Sequence, residues 1–288
     1  MRKRIEIRRL PTLILVLTLF LSLSGCGGEP PVSDTAEKPF EGLELTLFDA
    51  GKADAILLTT PSSAVLIDCG GKDFGSTLVN ELAVRGIGRL DLLIITHFDK
   101  DHVGGAAKLL ANIEVARVLQ CGIPGQGSAY DKYLRALNKT SLEPETVRET
   151  LSFSLGGVAY TVDPPQRESY DRDQSNNSSL IVTAVHGENR LVFLGDAETA
   201  RISEYLASSP APCGFLKIPH HGQEEKLLGS LIAALRPEYA AITCSDREPE
   251  ASSTAELLAA NGVTTFLTRL GAVRVRSDGK TLRAEYIG

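Results

Sequence analysis

The chain lacks any apolar run long enough to cross a membrane as a helix. Its longest, residues 10–23, has 14 positions and is interrupted by Pro11, short of the roughly 18–20 that a spanning helix needs, so a permanent anchor helix is the weaker reading. Cysteine is scarce: five in 288 residues, with no CxxC pair, which argues against a zinc–cysteine centre. Cys69, Cys121, Cys213 and Cys244 read as buried free thiols, three of them at the ends of apolar strand-like runs, although an oxidising exterior would permit disulfides. Positive charge is also in deficit, with 30 Lys and Arg against 36 Asp and Glu. No internal repeat stands out, and low complexity is confined to the N-terminal leader and tether.

What is present begins with a basic start. Arg2, Lys3, Arg4, Arg8 and Arg9 precede the apolar run, and small residues follow it, the pattern of a signal peptide. Leu23-Ser24-Gly25-Cys26 resembles the lipobox of bacterial lipoproteins, in which the cysteine becomes the lipidated first residue. The resemblance implies a signal peptide over residues 1–25, lipidation of Cys26, and a cell-membrane location facing the extracytoplasmic side. Two acyl chains on that cysteine would suffice for stable anchoring. Cleavage before Cys26 removes five basic residues and Glu6, leaving 25 basic against 35 acidic side chains, a net charge of −10. Such a field repels polyanions at long range, so DNA as a partner would need local metal or basic groups.

From residue 27 to about 40 the composition is Gly, Pro, Glu and Ser with almost no apolar periodicity, a tether, so residues 26–41 are assigned to the lipidated cysteine and linker and 42–288 to the folded domain. Residues 43–48, 55–59 and 64–67 read as three antiparallel strands. Helical periodicity follows over 76–85, then a solid apolar strand at 90–96, a helix over 105–112, a strand at 115–120 and a helix over 129–138. Hairpins return over 151–162 and 180–193, then strand 215–218, helix 226–235, strand 239–244, helix 254–260 and three closing strands. Two β-rich halves, each interleaved with helices, predict an α/β fold and suggest two sheets face to face with helices outside, an arrangement that periodicity alone does not separate from other α/β architectures.

The most informative stretch is Thr96-His97-Phe98-Asp99-Lys100-Asp101-His102-Val103-Gly104-Gly105, directly after the most apolar strand. Four potential metal ligands fall within six positions. A loop leaving a buried strand can turn alternate side chains to a common point, so His97 and Asp99 could serve one cation and Asp101 and His102 a second. The plain alternative, a polar loop with Asp101 capping a helix, explains one acid and neither histidine.

This segment resembles the HxHxDH signature of the metallo-β-lactamase fold, with Asp99 where the second histidine usually stands. That form looks like the hydrolase domain of ComEC-type competence proteins and like phosphorylcholine esterases. Asp49-Ala50-Gly51-Lys52-Ala53-Asp54-Ala55 is similar to the DVGQGDA opening of the competence-type domain, and Asp68-Cys69-Gly70-Gly71 to its D-x-G-G turn. Asp54 and Asp68 fit turn-fixing as well as site contact. Asn176-Asn177-Ser178-Ser179-Leu180 resembles the segment replacing the family's third ligand histidine, Leu194-Gly195-Asp196 the motif whose aspartate bridges two metals, and Leu216-Lys217-Ile218-Pro219-His220-His221-Gly222 the LKxPHHG segment.

The resemblance implies an α/β/β/α sandwich and two divalent cations, zinc or manganese, held by His97, Asp99, Asp101, His102, Asn177, Asp196 and one of His220 and His221. The other histidine would face substrate, and which does which is left open. Asn177 is the weakest ligand, a neutral amide being a poor donor to such metals. Asp101, His220 and His221 are the catalytic candidates, Lys217 is placed outside the site and His186 is read as structural. The implied chemistry is hydrolysis by a metal-bridging hydroxide, with phosphodiesters or nucleic acid as the leading substrate class. An envelope esterase, lactonase or phosphorylcholine-type esterase, and a metal-free binding module of the same fold, are the alternatives.

Overall fold

The computed structural model describes residues 40–287; the expected signal segment, Cys26 and nearly all of the tether lie outside them. Strands β1 (Leu43–Leu47), β2 (Ile56–Thr60) and β3 (Ser63–Ile67) form the antiparallel start, followed by helix α1 (Gly75–Val84). Next come β4 (Arg89–Leu90), β5 (Leu92–Ile95), α2 (Lys100–Val103), α3 (Ala106–Leu110), β6 (Glu114–Val115), β7 (Val118–Cys121), α4 (Ser128–Leu137) and β8 (Glu145–Val147). The second half runs β9 (Leu151–Leu155), β10 (Val158–Asp163), α5 (Gln174–Asn177), β11 (Ile181–His186), β12 (Asn189–Phe193), α6 (Thr199–Ala207), β13 (Phe215–Lys217), α7 (Leu228–Leu235), β14 (Tyr239–Ile242), α8 (Ser252–Ala260), β15 (Thr264–Leu267), β16 (Ala272–Ser277) and β17 (Leu282–Ile287).

These strands build two large sheets, ordered β17-β16-β1-β2-β3-β5-β7-β8 and β15-β14-β13-β12-β11-β10-β9, with β4 and β6 as a small separate pair. The last hairpin returns to the first sheet, where β16 pairs antiparallel with β1. Alternation along the strands of the second sheet sorts its two faces. Leu191, Phe193, Phe215 and Ala241 join the core shared with Leu45, Leu58 and Val65 of the first sheet. Their neighbours Val192, Leu216, Ala240 and Ile242 pack outward with Ile202, Leu231 and Leu258 of α6, α7 and α8. Residues two apart on a strand share a face, so both faces are covered and an α/β/β/α sandwich results. Among the described residues no helix is long and apolar enough to cross a membrane. The four cysteines from Cys69 onward are buried free thiols.

Candidate metal centre

Chemistry collects where strands from both sheets end together. His97 leaves β5, Asp68 leaves β3, Asp196 follows β12, His221 follows β13 and Thr243 follows β14, while Asp54 immediately precedes the Ala55–Ile56 entry to β2. Backbone bonds sew these loops to one another: Asp54 N donates to Asp101 O at 3.1 Å, Cys69 N to His102 O at 2.7 Å and Gly105 N to Gly70 O at 3.0 Å. Gly105 is required for this approach, because a Cβ there would stand 2.2 Å from Cys69 O. Asp68, His220 and His221 all hold positive φ, at 58°, 47° and 53°, a conformation costly for residues other than glycine and found preferentially at functional sites.

Asp101, His102, Asp196 and His221 bring one donor atom each to within 4.8 Å of one another. His102 Nε2 lies 3.2 Å from Asp196 Oδ1, and His221 Nε2 lies 3.1 Å from Asp196 Oδ2 and 3.5 Å from Asp101 Oδ2. The fit of a cation can be tested on these atoms. His97 Nε2, His102 Nε2, Asp196 Oδ1 and His221 Nε2 are all buried with no hydrogen-bond partner, and a buried polar atom left so costs about 1–3 kcal/mol. Donors about 2.0–2.2 Å from a shared dication stand about 2.8–3.6 Å apart along the edges of its coordination polyhedron, which the three contacts match. The residues therefore fit a divalent metal.

A second layer fixes the rings. His102 Nδ1 lies 2.8 Å from Asp68 Oδ2, and Thr96 donates to the same carboxylate through its backbone N–H at 2.8 Å and its hydroxyl at 2.7 Å. The Thr96 hydroxyl, its proton so committed, accepts from His97 Nδ1 at 3.1 Å. His221 Nδ1 donates to the Thr243 oxygens at 2.9 and 3.0 Å, and the Thr243 hydroxyl donates to Asp54 Oδ1 at 2.6 Å. Such outer partners hold the tautomer and aim of a ligating histidine.

The electrostatics follow from burial and proximity. Burial holds His97 down at about 4, aided by the neighbouring His102, which leaves its Nε2 lone pair free at neutral pH. Burial opposes protonation of His102, but the Asp196 and Asp68 carboxylates outweigh it and hold its pKa well above the ordinary range. His221 is raised for the same reasons, burial opposing and Asp196 and Asp101 prevailing. Asp196 is driven well below the carboxylate range, since His102 and His221 overcome its desolvation.

Other expected site residues fall elsewhere. Asp99 is half-exposed, 3.9 Å from His97 Nε2, and accepts a hydrogen bond from Ser175. His220 turns away from the four-donor cluster: its Nδ1 is 3.3 Å from Glu198 Oε1 and its Nε2 3.4 Å from Asn176 Nδ2. Asn177 needs correction as a ligand, because its amide oxygen accepts from Arg201 N at 3.0 Å and its nitrogen donates to Arg172 O at 3.3 Å. Both ends of that amide are spent on α6 and the preceding loop. Lys217 is also corrected: it is fully buried, its Nζ 2.6 Å from Asp54 and 3.7 Å from Asp196. His186 lies away from the cluster, 2.9 Å from the Ser277 hydroxyl. Asp54, Asp68, Thr243 and Glu198 complete the surroundings. The first two sat in quoted motifs, whereas nothing in the sequence marks Thr243.

The family model for the metallo-beta-lactamase superfamily matches residues 49–245. The chain belongs to that superfamily. Its members are generally metal-dependent hydrolases, and this chain is an enzyme of that kind. Among curated proteins it is 29% identical over 220 residues to the "ComE operon protein 3" of Bacillus subtilis (strain 168), covering 69% of this chain and 28% of that protein. It is 26% identical over 203 residues to the "Competence protein ComA" of Neisseria gonorrhoeae, covering 68% and 26%. The chain thus spans about a quarter of the length of these relatives. The metallo-beta-lactamase fold protein YhfI from Bacillus subtilis superimposes with a TM-score of 0.55 at 11% identity, covering 78% of this chain and 96% of that one, a likeness of fold.

Proposed function

We propose that this superfamily hydrolase is a two-cation phosphodiesterase. The observation that carries the reading is the set of unpartnered buried donors, His97 Nε2, His102 Nε2, Asp196 Oδ1 and His221 Nε2, gathered at the meeting of the two sheets. Asp101, His102, Asp196 and His221 would hold one cation, and His97 Nε2, with the half-exposed Asp99 carboxylate 3.9 Å from it, would hold the other. Zinc and manganese suit this mixture of imidazole and carboxylate. When bound, such cations supply an acidified water and polarise the ester under attack.

The chain's own residues would do the rest. Asp101, whose carboxylate lies 3.5 Å from His221 Nε2, would help hold the cation and orient the attacking water, and it is kept well below the ordinary carboxylate range because burial is outweighed by His221 and His102. His220, aimed away from the donors, is available to the leaving group. It is paired with Glu198, which burial and the nearby Asp173 raise to about 7. The two can pass a proton between them at the mouth of the site. Support for phosphodiesters comes from the Asp99 form of the motif and from a relative named as a competence protein. The acidic chain makes extended polyanion binding depend on the cations themselves.

The test uses purified protein loaded with Mn²⁺ or Zn²⁺ and offered bis(p-nitrophenyl) phosphate, single-stranded oligonucleotides, lactones and thioesters. Phosphodiester turnover is expected. In His102→Ala it should fall by more than the roughly 10–100-fold typical of losing an outer partner, together with the bound metal measured by elemental analysis. Turnover of lactones or thioesters alone would overturn the substrate class, and protein that takes up no metal would favour a binding module.

A further inference from the structure

Lys217 closes a strand whose other members, Phe215 and Leu216, are apolar and buried. A lysine there has no water to reach, and burying an ammonium is expensive unless it is paired and hydrogen-bonded. It is both. Nζ makes a 2.6 Å ion pair with Asp54 Oδ2 and donates to Gly195 O at 3.1 Å, immediately before Asp196. Asp54 is itself 1% exposed and has its second oxygen engaged by the Thr243 hydroxyl at 2.6 Å.

The proton count along this line is determined. An ionised carboxylate only accepts, so the single Thr243 hydroxyl proton lies toward Asp54. The oxygen left facing His221 Nδ1, and the Thr243 carbonyl beside it, are then both acceptors at 2.9 and 3.0 Å. His221 Nδ1 faces only acceptors and carries hydrogen, so a ring neutralised to take a cation has its lone pair on Nε2, the atom 3.1 Å from Asp196 and 3.5 Å from Asp101. Turning the hydroxyl toward Nδ1 would set two hydrogens against each other there and leave the 2.6 Å contact with Asp54 as two facing acceptors.

We propose that Lys217, Asp54 and Thr243 form a positioning relay that locks the ring of His221 in the one tautomer able to ligate, with Lys217 as the internal cation that keeps Asp54 ionised and in place. The relay deepens the two-cation reading above and rests on it for its purpose. His102 and His97 are oriented separately through Asp68, so the two halves of the donor set are held by different carboxylates. None of the three relay residues touches substrate.

Thr243→Val removes the hydroxyl at nearly constant volume, and Thr243→Ser keeps it. Metal affinity is read by chelator competition, and the His221 tautomer by ¹⁵N shifts of histidine-labelled, metal-free protein on the alkaline side of its titration. The valine variant should bind the tighter Mn²⁺ or Zn²⁺ equivalent about 10–100-fold more weakly and, with only the backbone carbonyl of residue 243 left to hold Nδ1–H against the pull of Asp196 on Nε2, show a larger share of the Nε2–H tautomer than the parent; the serine variant should restore both within about threefold of the parent. Valine binding as tightly as threonine with an unchanged tautomer, or serine failing to rescue, would overturn the relay. Phosphodiester hydrolysis is assayed in parallel. If the parent binds metal but cleaves no phosphodiester, the substrate class falls and the relay is judged by affinity and tautomer; if it binds no metal, the relay is judged by tautomer alone.

Discussion

Asp196 and Asp68 together overcome the penalty of burial and hold the pKa of His102 well above the ordinary histidine range in the metal-free protein, which favours its protonated form. His221 is shifted the same way. Both must be neutral to ligate, so cation uptake near pH 7 should release about one to two protons per site. With both folded values raised, apparent affinity should climb with pH until they are passed. Calorimetric titration in buffers of different ionisation enthalpy counts the protons directly, and a count of zero would mean that these rings are already neutral. Lys217→Met strands the buried Asp54 without its counter-ion, and breaking a buried pair on one side costs about 3–5 kcal/mol. Urea denaturation of the metal-free protein should show that loss, and a change below about 1 kcal/mol would mean that Asp54 finds water or a proton instead.

The loop from β5 into α2 and α3 depends on the close pass of Gly105 over Cys69, where any Cβ would meet the carbonyl at 2.2 Å. Gly105→Ala should therefore destabilise by about 1–3 kcal/mol and weaken metal binding, since His102 O is bonded to Cys69 N in the same contact. Equilibrium unfolding and chelator competition check the two effects. The elements flanking this loop were legible because apolar patterning there is strong: β5 is wholly buried, and α1 sits one residue from its expected bounds. Helix α6 was not legible. Its inner face includes Arg201 and Glu204, fully or nearly buried beside Ile202 and Tyr205, so polar residues break the 3.6-residue rhythm that marks a helix. Arg201 is tied to Asp163 at 2.7 Å and to Ser179 O at 3.0 Å, partners that local sequence does not announce. The short α5 and edge strand β8 offer too few residues for a pattern. Clustered ligands were legible where they are contiguous, at residues 97–102; the choice between His220 and His221 turns on backbone angles that spacing does not encode.

For the whole chain, we propose a lipid anchor at Cys26, as the Leu23-Ser24-Gly25-Cys26 pattern implies. Labelled palmitate should appear on the parent protein, vanish with Cys26→Ala, and be matched by a shift of the protein from detergent to aqueous phase on partitioning. Label persisting on the alanine variant would place the acyl chain elsewhere or dispose of it. A tether of the expected length would let the domain meet substrates near a lipid surface without burying any of its own faces there.

The donors gathered at the candidate metal centre are supplied by both sheets, Asp101 and His102 from the exit of β5, Asp196 and His221 from the exits of β12 and β13. Any ion seated among them would link one half of the sandwich to the other. Mineral supply would then govern the mechanical cohesion of the protein as well as its chemistry.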